Sequence, residues 1–192
     1  GIGGISAIYS PPLNLSLFQL ETQFFNQKVE PSRYEWKPGE IIEEAVINGI
    51  NIKCLLVPVF PEARVIQLIE LSNSNQESVT IPVKISANPS FSYDSIWAWS
   101  PKNAGEVATV KENGNANVLC FETADGEISI HSDHSNLIKA ANELAGEIQL
   151  KPDCKTQFAI TVSYKGKADA DKLDDSNFRA DELISQSRKR WN

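Results

Sequence analysis

The residues whose types and spacing bear most on chemistry are aromatic. Phe91, Tyr93, Trp97 and Trp99 fall within nine positions, and Trp97 and Trp99 are two apart. On a strand, side chains two apart face the same side, so the indoles would make one flat surface. Flat indoles pair well with the C–H faces of sugars, which makes a carbohydrate platform chemically reasonable. The same rings serve equally as core or as an interdomain seam, because aromatic side chains dominate buried packing. The core or seam is the favoured reading of Tyr93, Trp97 and Trp99. Trp191 joins them as a contact candidate, since a bulky indole at a helix end gains from a partner.

Other constellations carry less. His131, Asp133 and His134 form H-S-D-H at the end of a strand, and they are candidates for zinc only if further ligands come from elsewhere. The chain holds 2 histidines in all, so the motif reads as ordinary turn residues and no metal is expected. Glu43-Glu44, Asp94, Asp125 with Glu127, and Asp174-Asp175 are carboxylates that could work as acid and base on a sugar. Such a dyad must face itself across a cleft at roughly 5 to 10 Å, and acids in turns and polar runs read first as solvated surface. Gly1-Ile2-Gly3-Gly4 resembles a phosphate-cradling loop in composition only, because no strand precedes it; it reads as a flexible terminus. Without a Walker, G-x-S-x-G or H-E-x-x-H motif, neither a cofactor nor a catalytic residue is assigned.

Composition narrows the class. The 192 residues are 41% hydrophobic and carry a net charge of −7. Nucleic-acid binders usually show a basic footprint, and anionic membrane surfaces need basic clusters, so neither partner is expected. No apolar run approaches the roughly 18 residues of a membrane span. With no methionine at all, the chain reads as a processed or excised piece. Its first residues have neither the basic start nor the apolar segment of an uncleaved signal peptide. Cys54, Cys120 and Cys154 lack C-x-x-C spacing and sit in or beside apolar stretches, so all three read as buried free thiols. The compartment stays open, with periplasmic or secreted favoured over cytoplasmic.

The elements that must position these residues repeat with a period of two. Val79 to Ala87 and Phe158 to Tyr164 alternate apolar and polar, as strands with one wet face do. Ile50 to Phe60 alternates and then becomes apolar on both faces, and Val65 to Leu71 is apolar at nearly every position, as in a strand covered on both sides. Ser16 to Phe25, Ile41 to Ile47, Asn117 to Phe121 and Glu127 to His131 are shorter strands. Lys37-Pro38-Gly39, Asn48-Gly49, Ser72-Asn73-Ser74-Asn75, Asn113-Gly114-Asn115 and Asp125-Gly126 mark the turns between them, and the Asn-Gly and Asp-Gly pairs signal hairpins. The expected fold is all-β, a large two-sheet antiparallel sandwich over residues 1–165. Residues 166–192 read as a polar linker and one amphipathic helix over 178–191, with Ala180, Leu183, Ile184, Ser187 and Trp191 on one face. That stripe should dock on the sandwich or on a domain that comes after it.

Tyr34-Glu35-Trp36-Lys37-Pro38-Gly39-Glu40, the strand through Val57-Pro58, and Val65 to Leu71 ending in Ser72-Asn73 resemble a known module. Ile96-Trp97-Ala98-Trp99 and the closing strand followed by a helix ending in Arg190-Trp191 fit the same pattern. The chain resembles the N-terminal β-supersandwich of bacterial six-hairpin glycosidases, whose fold is similar to galactose mutarotase. The resemblance implies a linker helix and then an α/α toroid holding the catalytic carboxylates. It also implies packing against that toroid, a wall of its cleft, and in some cases contacts of a homo-oligomer. No catalytic residue of the family maps onto this chain. The leading expectation is a non-catalytic accessory domain of a glycoside hydrolase, whose partner is the downstream catalytic domain. Its rivals are a stand-alone carbohydrate-binding module holding an oligosaccharide on Trp97 and Trp99, and a mutarotase-like sugar epimerase.

Overall fold

A computed structural model describes residues 1–5, 8–10, 13–15, 18–59, 63–91, 106–107, 109–111, 114–122, 126–166 and 179–191. Its strands are β1 (Ile8–Ser10), β2 (Leu13–Leu15), β3 (Phe18–Phe24), β4 (Gln27–Lys28), β5 (Arg33–Lys37), β6 (Glu40–Ile47), β7 (Ile50–Val59) and β8 (Arg64–Asn73). Next come β9 (Val79–Phe91), β10 (Glu106–Val107), β11 (Thr109–Lys111), β12 (Val118–Glu122), β13 (Gly126–Ser132), β14 (Ile138–Ala140), β15 (Glu143–Leu150) and β16 (Lys155–Gly166). One helix, α1 (Ala180–Trp191), closes the described chain. The larger sheet has 8 strands in the order β11-β12-β13-β16-β8-β7-β6-β5. The smaller has 6, ordered β14-β15-β9-β3-β4 with β10 beside β9. Every pairing is antiparallel, and the two sheets make the expected all-β sandwich.

Period-two alternation builds the core between the sheets. Ile81, Val83 and Ile85 of β9 meet Ile69 and Leu71 of β8, Ile128 and Ile130 of β13, and Phe158, Ile160 and Val162 of β16 in one buried cluster. The switch to two-sided hydrophobicity in β7 has a local cause. From Leu55 onward the second face of the strand is apolar because α1 lands there. Leu55, Val57 and Val59, with Ile66 and Ala159, form a second buried cluster around Ile184, with Ala180 and Leu183 packed against it. The helical stripe therefore docks on the sandwich. Asp181 and Glu182 in the first turn and Arg188, Lys189 and Arg190 in the last match the helix dipole at both ends.

Turn chemistry sets the register. Asn48 and Gly49 both take positive φ, 50° and 74°, and join Ile47 to Ile50 in the two-residue hairpin form that Asn-Gly favours. Pro38-Gly39 joins Lys37 to Glu40 with Gly39 at φ 78°, as a type II turn requires. Asn73 knots three connections together. Its Nδ2 donates to the carbonyls of Glu77 (2.9 Å), Leu150 (3.1 Å) and Lys151 (3.2 Å), and its Oδ1 accepts the N–H of Asn75 (2.9 Å).

Three expectations are corrected. The N-terminal glycines form no loose tail: Ile2 is fully buried, and its N–H donates to the Val29 carbonyl at 2.7 Å. A turn closes from the Gly4 N–H to the Gly1 carbonyl (3.1 Å), with Gly3 at φ 66°, where a side chain would be strained. Cys54 and Cys120 are buried, but Cys154 is exposed, because it lies in the turn between β15 and β16 and not in either strand. Strands β5, β14 and β15, and the short strands β1, β2, β4, β10 and β11, are additions to the set that the alternation predicts. The β14–β15 turn uses Ala141 at φ 54° in place of glycine, and Gly146 interrupts the apolar pattern because the Asn136 carbonyl occupies the space a Cβ would need.

Candidate functional site

Each sequence candidate finds a definite place or falls outside the described residues. Tyr93, Trp97, Trp99, Asp94, Asp125, Asp174 and Asp175 lie outside them, as does the side chain of Trp191, whose backbone ends α1. Glu43 and Glu44 are adjacent on β6 and so face opposite sides of the sheet. Glu43 Oε2 accepts the Gly3 N–H at 2.7 Å on the inner face, while Glu44 pairs with Arg33 (3.1 Å) and Lys53 (3.6 Å) on the outer one. They cannot act as a pair on one substrate.

The H-S-D-H motif ties β13 to β16. Asp133 Oδ1 accepts the Ala159 N–H at 2.7 Å, and Ser132 Oγ accepts the His134 N–H at 3.2 Å. His134 Nδ1 accepts the Asn136 N–H at 3.2 Å, and its ring stands edge-on to Phe158 with centroids 5.6 Å apart. Burial lowers the His134 pKa from its ordinary value, and the Asp133 charge opposes that shift. His131 lies on the outer face of the larger sheet, paired across the strands with Val118 and Thr161. Among the described residues, no group of three or more His, Cys, Asp or Glu side chains is arranged to hold a metal.

Glu127 belongs to a cross-strand row on that outer face. Its carboxylate accepts from Lys111 Nζ (2.8 Å) and from the Cys120 thiol (3.2 Å), and Ser129 and Ser163 share a hydrogen bond of 2.7 Å in the same row. Burial raises the Glu127 pKa, but the bonds from Lys111 and Cys120 and the Lys111 charge outweigh it and leave the carboxyl below its ordinary value. Cys54 is the opposite case: complete burial, with Glu43 nearby, pushes its thiol far up and keeps it protonated. Two open clefts, about 330 Å³ beside Gly1 and Lys28 and about 670 Å³ beside His134 and Gln149, hold one carboxylate each, Glu21 and Glu147. Among the described residues, neither supplies the paired acids of a glycosidase dyad.

Two further features stand out among the described residues. The first is the α1 seam on β7 and β8, where Ser187 Oγ donates to the Pro58 carbonyl (2.8 Å) and Arg188 Nε to Glu40 Oε2 (2.8 Å). The second escapes the sequence reading. Tyr34 and Trp36 on the edge strand β5 are 58% and 66% exposed, and their two-residue spacing puts both on one face. The spacing that singles out Trp97 and Trp99 is present here too, masked by the turn motif that contains it.

Neither a protein-family model nor a curated protein sequence matches the chain. Solved structures do. A protein named as a kojibiose phosphorylase, from the human microbiome, matches with a TM-score of 0.54 and 12% identity over 90% of this chain. The match takes in 27% of that protein, so the chain spans about a quarter of its length. A polysaccharide lyase matches over 78% of this chain at 11% identity and a TM-score of 0.37. At 12% identity the likeness to the phosphorylase is one of fold, and the sandwich is the fold it shows. Among the described residues, no helix is long and apolar enough to cross a membrane.

Proposed function

We propose that the chain is a non-catalytic, N-terminal β-sandwich unit of a carbohydrate-active enzyme, whose terminal helix leads into the catalytic domain. The observation that carries this reading is the fold match to a named glycoside phosphorylase, which takes in nearly all of this chain but only 27% of that one. The helix supports it. α1 is anchored on the sandwich by Ile184, Ser187 and Arg188, so a segment attached to its end would leave from a fixed place. The carboxylates support it as well: Glu43, Glu44 and Glu127 are each engaged by backbone or basic groups and none faces another across a cleft.

The test is to trace the reading frame past Asn192 and express the extended protein beside the 192-residue chain. The expected result is a helical catalytic domain that cleaves a glycoside by water or phosphate, with no turnover by the shorter chain. A frame that ends at Asn192, or aryl-glycoside turnover by the 192-residue chain itself, overturns the reading.

A further inference from the structure

β5 is the last strand of the larger sheet, and among the described residues no strand pairs with its outer edge. Cross-strand register pairs Tyr34 with Glu43 and Trp36 with Ile41, which places both rings on the inner face of the sheet. Both rings nonetheless reach solvent, at 58% and 66% exposure. Arg33, Glu35 and Lys37 take the other face. There Lys37 pairs with Glu35 at 3.0 Å and Arg33 with Glu44 at 3.1 Å. Side chains two apart on a strand are separated by roughly 6.6 Å along it, so the rings stand side by side in a short strip.

We propose that Tyr34 and Trp36 form an oligosaccharide-binding platform on the open edge of the larger sheet. The chemistry comes from the rings. An aromatic face carries negative charge and attracts the weakly positive C–H groups on the face of a pyranose. Sugar hydroxyls project sideways from that stack, where the unpaired amides and carbonyls of an edge strand can bond them. Other occupants fit less well. Two aromatic side chains bury at most about 500 Å² together, well short of the roughly 800 Å² per partner of a stable protein interface. Interface cores are also depleted in charge, whereas Glu43 stands directly across from Tyr34 on the face of the rings. The alternation of charge and bulk along β5 discourages pairing with a strand from another chain. Nucleic acid is opposed by the carboxylate of Glu43 beside Tyr34 and by the absence of a basic side chain on the β5 face that carries the rings. The inference goes beyond the accessory-domain reading and does not depend on it.

The experiment uses the whole 192-residue chain and four soluble probes, cellohexaose, xylohexaose, mannohexaose and maltohexaose, in calorimetry and tryptophan fluorescence. At least one probe at millimolar concentration binds and shifts the indole emission to the blue. Trp36→Ala weakens that binding about tenfold, Tyr34→Ala weakens it less, and Trp36→Phe retains most of it. All three variants keep the wild-type circular dichroism and urea midpoint. Absence of binding to all four probes overturns the proposal, and so does binding that Trp36→Ala leaves unchanged. Unfolding of both Trp36→Ala and Trp36→Phe overturns it too, since the indole would then be structural. Self-association lost on Trp36→Ala in sedimentation, without any glycan binding, assigns the strip to a second copy of the chain and overturns it as well. None of these outcomes bears on the reading frame beyond Asn192, so failure here and failure of the accessory-domain reading are told apart.

Discussion

The two ends of the described chain are fastened to opposite faces of the same strands, by different means. At the N-terminus, the Gly3 carbonyl on the inner face accepts from Gln67 Nε2 of β8 at 2.6 Å, and the Gly3 N–H donates to Glu43 of β6. At the C-terminus, α1 lies on the outer face and is held by an apolar stripe over Leu55, Val57 and Ile66. One attachment is made of backbone groups and buried polar side chains, the other of side-chain periodicity. The first attachment is part of the core. The second is laid onto it. Removing the first should therefore open the sandwich, whereas removing the second should release only the helix.

Substitution of one buried isoleucine at each end separates these cases. Ile2→Ala empties a site inside the main cluster and is expected to lower global stability by about 2–5 kcal/mol in urea unfolding, with a single transition. Ile184→Ala is expected to cost about 1.5–3 kcal/mol at most, because a helix on the surface can detach and relax. Its signature is local: amide exchange rises in α1 while the amides of β8 and β9 stay protected. Equal and global losses for the two variants would show that the helix belongs to the core unit.

Ser187→Ala removes one side-chain bond from the seam and leaves the Pro58 carbonyl without that donor. The expected loss is about 0.5–1.5 kcal/mol, again confined to α1 exchange. A loss spread over the whole sandwich would blur the distinction between the ends.

The smallest effect lies away from both ends and calibrates them. His134 has a folded pKa lowered mainly by burial, so the unfolded chain takes up a proton more readily. Its contribution is present above the ordinary value of 6.5 and is lost as pH falls through the folded value. Glu127, lowered by Lys111 and Cys120 against the effect of burial, loses its contribution in the same direction below 4.5. Urea midpoints should therefore fall on acidification in two stages. His134→Gln should flatten the first stage and Glu127→Gln the second, with neither altering exchange in α1 selectively.

How legible each part is in the sequence depends on how that part is fastened. α1 is legible because side chains at helical spacing make its contacts, and the landing site is legible in β7, where alternation gives way after Cys54. Glycine-marked hairpins are legible because the residues that permit the turn also announce it, the Asn48-Gly49 turn among them. The N-terminal attachment is not, since a Gly-rich segment held by its own N–H and C=O groups looks like a tail. Strands β14 and β15 are hidden by a turn without glycine at Ala141-Asn142 and by a glycine at position 146 demanded by the Asn136 backbone. At the candidate site, two-residue aromatic spacing is a usable signal. It does not say whether a pair reaches solvent, because the exposure of Tyr34 and Trp36 is set by tertiary packing that spacing does not encode.

The three cysteines turn the sandwich into its own clock. Cys154 stands in a solvent-facing turn, Cys120 is bound to a carboxylate beneath the outer surface, and Cys54 is sealed between the sheets and held protonated. A thiol-reactive dye should take Cys154 within the mixing time and leave a single labelled position without any engineering. The later, slower arrival of the second and third labels would time the outward loosening of the sheet and the parting of its two layers, in the native protein and without denaturant.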